Sequence, residues 1–167
     1  MTDLYHGKRL SVEMRAVPLP DGRIKDRVIV HPGNAVAILP RGENDCLYLL
    51  RQYRYAIDAY IYEAPAGTMA PGESPHETAA RELIEETGFA AGRLIDRGMI
   101  FTTPGFSDEQ LFLFEAQELF PSSEYEKDED EIIELIKVNA HEFRSMCLDG
   151  RISDAKTLCL AYRCLGV

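Results

Sequence analysis

An α+β fold is predicted by three observations. Loosely alternating apolar and polar segments fill most of the chain up to residue 64 and recur after residue 94. A single strongly capped helix interrupts them, and two further helical segments close the chain. This order is not the regular βαβ alternation of a doubly wound sheet. At 167 residues the chain reads as one domain, 1–167, able to bury roughly two thirds of its unfolded surface.

The elements follow in order. Residues 8–17 alternate as a strand, Pro20-Asp21-Gly22-Arg23 is a turn, and Ile24 to His31 alternates again, predicting an N-terminal hairpin before Pro32-Gly33, with His6 in a loose terminus. Asn34 to Leu39 and Cys46 to Tyr53 are two strands, predicted to form a hairpin across the loop Pro40 to Asn44. Ile61 to Ala64 is a short strand. Beyond the helix, Leu94 to Thr102, Leu111 to Gln117 and Glu131 to Val138 are strands. The polar run Pro121 to Asp130 is a loop, and helices cover Ala140–Leu148 and Asp154–Leu165.

The informative stretch is Gly67 to Phe89, GTMAPGESPHETAARELIEETGF. Ser74-Pro75-His76-Glu77 is a capping box with proline in the first turn, and Gly88 suits a left-handed C-terminal cap. Pro71-Gly72 is a type II turn signal, and Gly67 permits close backbone approach to a ligand. Glu82 stands three and four residues from Glu85 and Glu86. Like charges at these spacings oppose a helix by roughly 0.2–0.5 kcal/mol per pair, while Arg81 can pair with Glu85. A solvated amphipathic helix is one reading. A carboxylate site for a hard divalent cation is the other, and it would reverse the sign of that repulsion.

The bulk numbers exclude several classes. A net charge of −10 argues against broad binding to nucleic acid or anionic membranes. Cys46, Cys147, Cys159 and Cys164 share no C-x-x-C spacing, so zinc is not expected and reduced thiols are. With no signal peptide and no long apolar run, a cytoplasmic protein is expected.

Gly67, Glu73, Arg81-Glu82, Leu83, Glu85-Glu86, Gly88 and Phe89 match each defined position of the Nudix box, and the chain resembles the Nudix family. The resemblance implies the Nudix fold: mixed β-sheets sandwiched between α-helices, here with an N-terminal β-hairpin arm over about residues 1–32. It also implies Mg²⁺- or Mn²⁺-dependent hydrolysis of a nucleoside diphosphate derivative, with two to three ions per site. By position, Glu82 and Glu86 would be the principal metal ligands. Glu85 would be a further ligand, the Ala66 carbonyl an extra one, and Arg81 would orient the carboxylates.

Three flanking features resemble the ADP-ribose pyrophosphatase branch: Glu63-Ala64-Pro65-Ala66-Gly67, Arg51-Gln52-Tyr53-Arg54, and Pro104 in the loop Pro104-Gly105-Phe106-Ser107-Asp108-Glu109. They imply substrate contacts from Arg51, Arg54, Glu63, Gly105, Phe106 and Glu109. The two arginines also read as surface charges, and Pro104-Gly105 as a plain turn. Glu129 is the implied general base and Glu131 an additional metal contact, with roles that spacing and composition leave interchangeable. The surrounding acidic run also reads as a solvated loop. The four histidines, beside turns or in the terminus, are poor catalytic candidates. ADP-ribose hydrolysis to AMP and ribose 5-phosphate is the expected reaction. A GDP- or UDP-linked hexose is the alternative substrate, and a non-catalytic nucleotide-binding regulator the alternative class. The branch further implies a homodimer in which the N-terminal hairpin reaches over the partner's base pocket.

Overall fold

A computed structural model describes residues 2–124 and 132–167. Three sheets and three helices make up these residues. The central sheet has the order β7-β4-β9-β8, built from β4 (Ala35–Pro40), β7 (Ala66–Thr68), β8 (Phe89–Phe101) and β9 (Gln110–Pro121). β4 and β9 run parallel while the other pairs are antiparallel, so this sheet is mixed.

Its two faces are covered by different elements, which is why β4 and β9 read as nearly continuous apolar runs. On one face Val36, Ile38, Phe114 and Ala116 pack against Ala79 and Leu83 of α1 (Pro75–Thr87). On the other, Ala37, Leu39, Leu111 and Leu113 join Phe143 and Met146 of α2 (Ala140–Leu148) and Leu160 and Ala161 of α3 (Ala155–Leu165). That second cluster also takes Leu47 and Leu49 from the second sheet, ordered β10-β5-β6, made of β5 (Cys46–Arg54), β6 (Ala59–Glu63) and β10 (Ile133–Asn139). The expected layering of sheets between helices is met.

Two expectations need correction. The strands at 35–40 and 46–54 do not form a hairpin; they belong to different sheets, joined only by the isolated bridge Arg41–Leu47. Asn44 and Asp45, both with positive φ (56° and 55°), turn the chain from one layer to the other. The N-terminal hairpin is in turn part of a three-stranded sheet, β1 (Thr2–His6), β2 (Ser11–Pro18) and β3 (Ile24–His31). Every residue of β1 is exposed, so no buried face marks it in the sequence, and backbone pairing with β2 holds it.

β8 starts directly after the helix, five residues before the alternation becomes legible at Leu94, because Ala90, Ala91 and Gly92 are too small to show a pattern. Glu129 and Glu131 lie outside the described residues.

The parallel β4–β9 pair carries both core clusters. Leu113→Ala, at a fully buried position, should therefore lower unfolding stability by about 2–5 kcal/mol in urea titration.

Candidate active site

The helix that carries the carboxylates is specified locally at both ends. Ser74 accepts from Glu77 N–H while the Glu77 carboxylate accepts from Ser74 N–H at 2.8 Å, and Gly88 at φ 72° donates to the Ile84 carbonyl. Upstream, Gly72 at φ 90° and the Glu73 N–H to Ala70 carbonyl bond of 3.0 Å form the expected turn. β7 brings Gly67 so close to the helix that a Cβ there would meet the Glu82 carboxyl carbon at 1.9 Å. Glycine is thus required by the approach of strand to carboxylate, and its own φ is not in the left-handed region.

Arg81 gathers the acidic groups. Its Nε and Nη2 donate to the two oxygens of Glu73, each at 3.0 Å, while Nη1 donates to Glu82 at 2.7 Å and Glu85 at 2.9 Å. Glu73 also accepts from Ala70 N–H and from the Thr78 hydroxyl. These bonds, Arg81's first, pull the Glu73 carboxyl down to about 2. Glu86, in the buried part of the helix, accepts from Ala66 N–H at 2.8 Å. The expected Arg81–Glu85 pair is present, and Glu73 is the larger partner that the spacing argument missed.

A cleft of about 1020 Å³ is lined by Gly67, Glu82, Glu85 and Glu86 together with Arg54, Glu109 and Lys156. That is at the upper end of the roughly 300–1,000 Å³ usual for small-molecule sites. Residues of the β1–β2 turn, including Lys8 and Arg9, line its rim.

The structure thus brings Arg54 and Glu109 to the box carboxylates. Glu63 stands behind the cleft wall: it is fully buried, accepts the Arg54 fork at 2.6 and 2.7 Å, and accepts from Lys156. Burial would raise its carboxyl, but Arg54 and Lys156 outweigh that and hold it below the ordinary range. Arg51 projects elsewhere, pairing with Glu134 at 3.3 Å and lying over the Tyr60 ring at 4.2 Å. Gly105 and Phe106 sit on the exposed outside of their loop and do not line the cleft. Lys156 and Asp154 were not anticipated. Their signal is the Asp154-x-x-Thr157 cap, where Asp154 accepts from Thr157 N–H at 3.0 Å and the Thr157 hydroxyl accepts from Ala64 N–H at 2.7 Å, pinning α3 beside the box.

The donor set fits a hard divalent cation: Glu82, Glu85 and Glu86 are oxygen donors of like charge on one stripe, beside a strand stripped of side chain at Gly67. Among the described residues no three such side chains already stand as ready-made ligands. Glu82 and Glu85 instead share the Arg81 guanidinium, a cation in the position where their charges converge.

Glu73 supplies stability that is complete above pH 4.5, its unperturbed value, and that is lost as pH falls through about 2. Glu73→Gln should be less stable than the parent at pH 7, with the gap closing between pH 4.5 and 2 in urea titrations repeated across that range.

Comparison with known proteins agrees with this geometry. The family model described as NUDIX domain matches residues 31–160. An ADP-ribose pyrophosphatase of Bacillus subtilis is 38% identical over 92% of this chain and 84% of its own length. A methanol dehydrogenase activator of Bacillus methanolicus is 35% identical over 93% of this chain and 84% of its own. A crystal structure of an ADP compounds hydrolase superposes with a TM-score of 0.85 at 26% identity, covering 96% of this chain and 87% of that one. With its box intact and its carboxylates gathered under a ligand-sized cleft, the chain belongs to the Nudix hydrolase family.

Proposed function

We propose that the protein hydrolyses the pyrophosphate of ADP-ribose to AMP and ribose 5-phosphate, with Mg²⁺ or Mn²⁺. The observation that carries this is a single cleft lined both by the helix carboxylates Glu82, Glu85 and Glu86 and by the cations Arg54 and Lys156. A pyrophosphate needs both, cations for its outer oxygens and a carboxylate-held metal for its centre. The likeness to a relative named for ADP-ribose supports the substrate over other diphosphates.

Glu82, Glu86 and Glu85 would hold the ions, together with the Ala66 carbonyl, and when bound those ions would supply Lewis-acid polarisation of phosphate and a more acidic water. Arg81 keeps the carboxylates oriented through Glu73. Arg54 presents a planar fork suited to phosphate oxygens, and Lys156 a point charge. Both are held from behind by the buried Glu63, which fixes their position. Glu109, which accepts from the Thr102 hydroxyl at 2.5 Å, would accept from ribose hydroxyls. Water attacks one phosphorus in line, its oxygen forming the new P–O bond as the bridging P–O bond breaks. Glu129 is the proposed base for the water proton, with Glu131 as the exchangeable second choice.

We also propose a homodimer through the N-terminal sheet. Leu4, Tyr5, Met14, Ile24 and Val28 are all exposed there, at 39% or more of their surface. Exposed apolar area concentrated on one small sheet marks an interaction face. Sedimentation velocity should show two chains per particle, and Val28→Glu should return monomers.

Purified protein with Mg²⁺ should release AMP from ADP-ribose faster than it cleaves GDP-mannose or UDP-glucose; absence of AMP, with turnover of a hexose derivative, would transfer the assignment to that substrate. Gly67→Ala, which forces the Glu82 carboxylate aside, should cost about a hundredfold in kcat/KM, the usual penalty of an ångström-scale misplacement. Glu86→Gln retaining near-normal turnover would refute the metal assignment.

A further inference from the structure

His31 closes β3, lines the cleft and makes two bonds across the fold. Its Nδ1 lies 2.6 Å from an Asp108 oxygen and its Nε2 lies 3.2 Å from a Glu13 oxygen. Asp108 belongs to the loop between β8 and β9. Glu13, on β2, is buried and also accepts from Arg15.

Ionised carboxylates only accept hydrogen bonds, and a neutral imidazole has one N–H to give. Both bonds can be donated together only by the doubly protonated ring. The charged groups facing His31 are therefore Glu13 on β2, with Arg15 behind it, and Asp108 on the loop; His6 stands farther along the same cross-strand row, beyond Ser11.

The loop that His31 holds is a closed unit. The Thr102 hydroxyl donates to the Glu109 carboxylate at 2.5 Å, Glu109 N–H donates to the Ser107 hydroxyl at 3.2 Å, and Ser107 is buried. Its backbone is laced to β3 where Val30 N–H donates to the Phe106 carbonyl at 2.8 Å and Asp108 N–H donates to the Val30 carbonyl at 3.4 Å. The second of these bonds is long, and Asp108 is the residue that His31 grips. Glu109, the next residue, stands on the cleft wall.

We propose that His31 is a positioning residue whose imidazolium, shared between Glu13 and Asp108, fastens the Thr102–Glu109 loop to the N-terminal sheet and thereby places Glu109 for substrate. This rests on the cleft reading above. The Asp108 bond raises the His31 ring above its ordinary 6.5; desolvation opposes it, and Glu13 adds a smaller upward effect. The fastening is therefore complete below pH 6.5 and is lost as pH rises through the ring's higher folded-state value.

Two measurements test it. In NMR titrations the His31 ring should titrate above 6.5 in the parent, fall toward it in Asp108→Asn, and lose protection of the Asp108 amide as it deprotonates. In kinetics, KM for ADP-ribose should rise with pH across that same titration while kcat does not follow it. His31→Gln and Asp108→Asn should show a pH-independent KM raised about tenfold, the size of one charge-assisted hydrogen bond. Should ADP-ribose prove not to be a substrate, the parent itself will show no turnover, and the NMR titration alone then decides the fastening. A His31 ring indifferent to Asp108→Asn, or a KM profile in that variant that still follows the parent's, would overturn the proposal.

Discussion

The site depends on one guanidinium. Glu82, Glu85 and Glu86 repel one another along α1, and the loop before the helix packs on the core through Met69 at its start. Arg81 addresses both at once, with two nitrogens on Glu73 of the loop and a third between Glu82 and Glu85. Its planar fork matters, since a lysine in its place would present a single point charge and could not span three carboxylates. Because Glu73 is tied to the turn at Ala70 and to Thr78, the loop and first helical turns close into one unit. That closure is what lays Gly67 against Glu82.

Two other carboxylates are wholly buried, and both are answered by arginine. Glu115 lies inside the central sheet, paired with Arg97 and accepting from Gln117 at 2.7 Å, with Arg41 at 3.6 Å. Burial raises it, but Arg97 and Gln117 more than compensate and keep it ionised below the ordinary range. It ties β9 to β8 and to the chain crossing between sheets. Glu63 performs a different service at the cleft, where it holds Arg54 and Lys156 ready on the wall without leaving their charges unscreened. A buried ion pair of this kind is poor proof of added stability and better understood as a device for orientation.

Much of this was legible in the residues. The capping box, Gly88 and Pro71-Gly72 prescribe local geometry through side chains and φ values, so the helix and its turn emerged where expected. Arg54 and Glu109 reached the cleft because they sit on strand ends or short loops near the box. Other features were not legible. β4 followed by a short loop and β5 looks like a hairpin, and only the covering of both faces of β4 reveals that they part. β1 has no buried face to create a period. Arg51 and Arg54 are alike in the sequence, but pleating sends them to opposite sides of β5. Lys156 is distant in the chain and enters only because the Thr157–Ala64 bond docks α3 beside the box.

The central claim is that the Arg81-ordered carboxylates take up divalent cations across a bound pyrophosphate. Calorimetric titration of Mn²⁺ into the protein, with and without a non-hydrolysable ADP-ribose analogue, tests it most directly. The account predicts that the analogue adds tightly bound ions and that Glu82→Gln removes them. Equal Mn²⁺ uptake in parent and variant, with the analogue present, would contradict it.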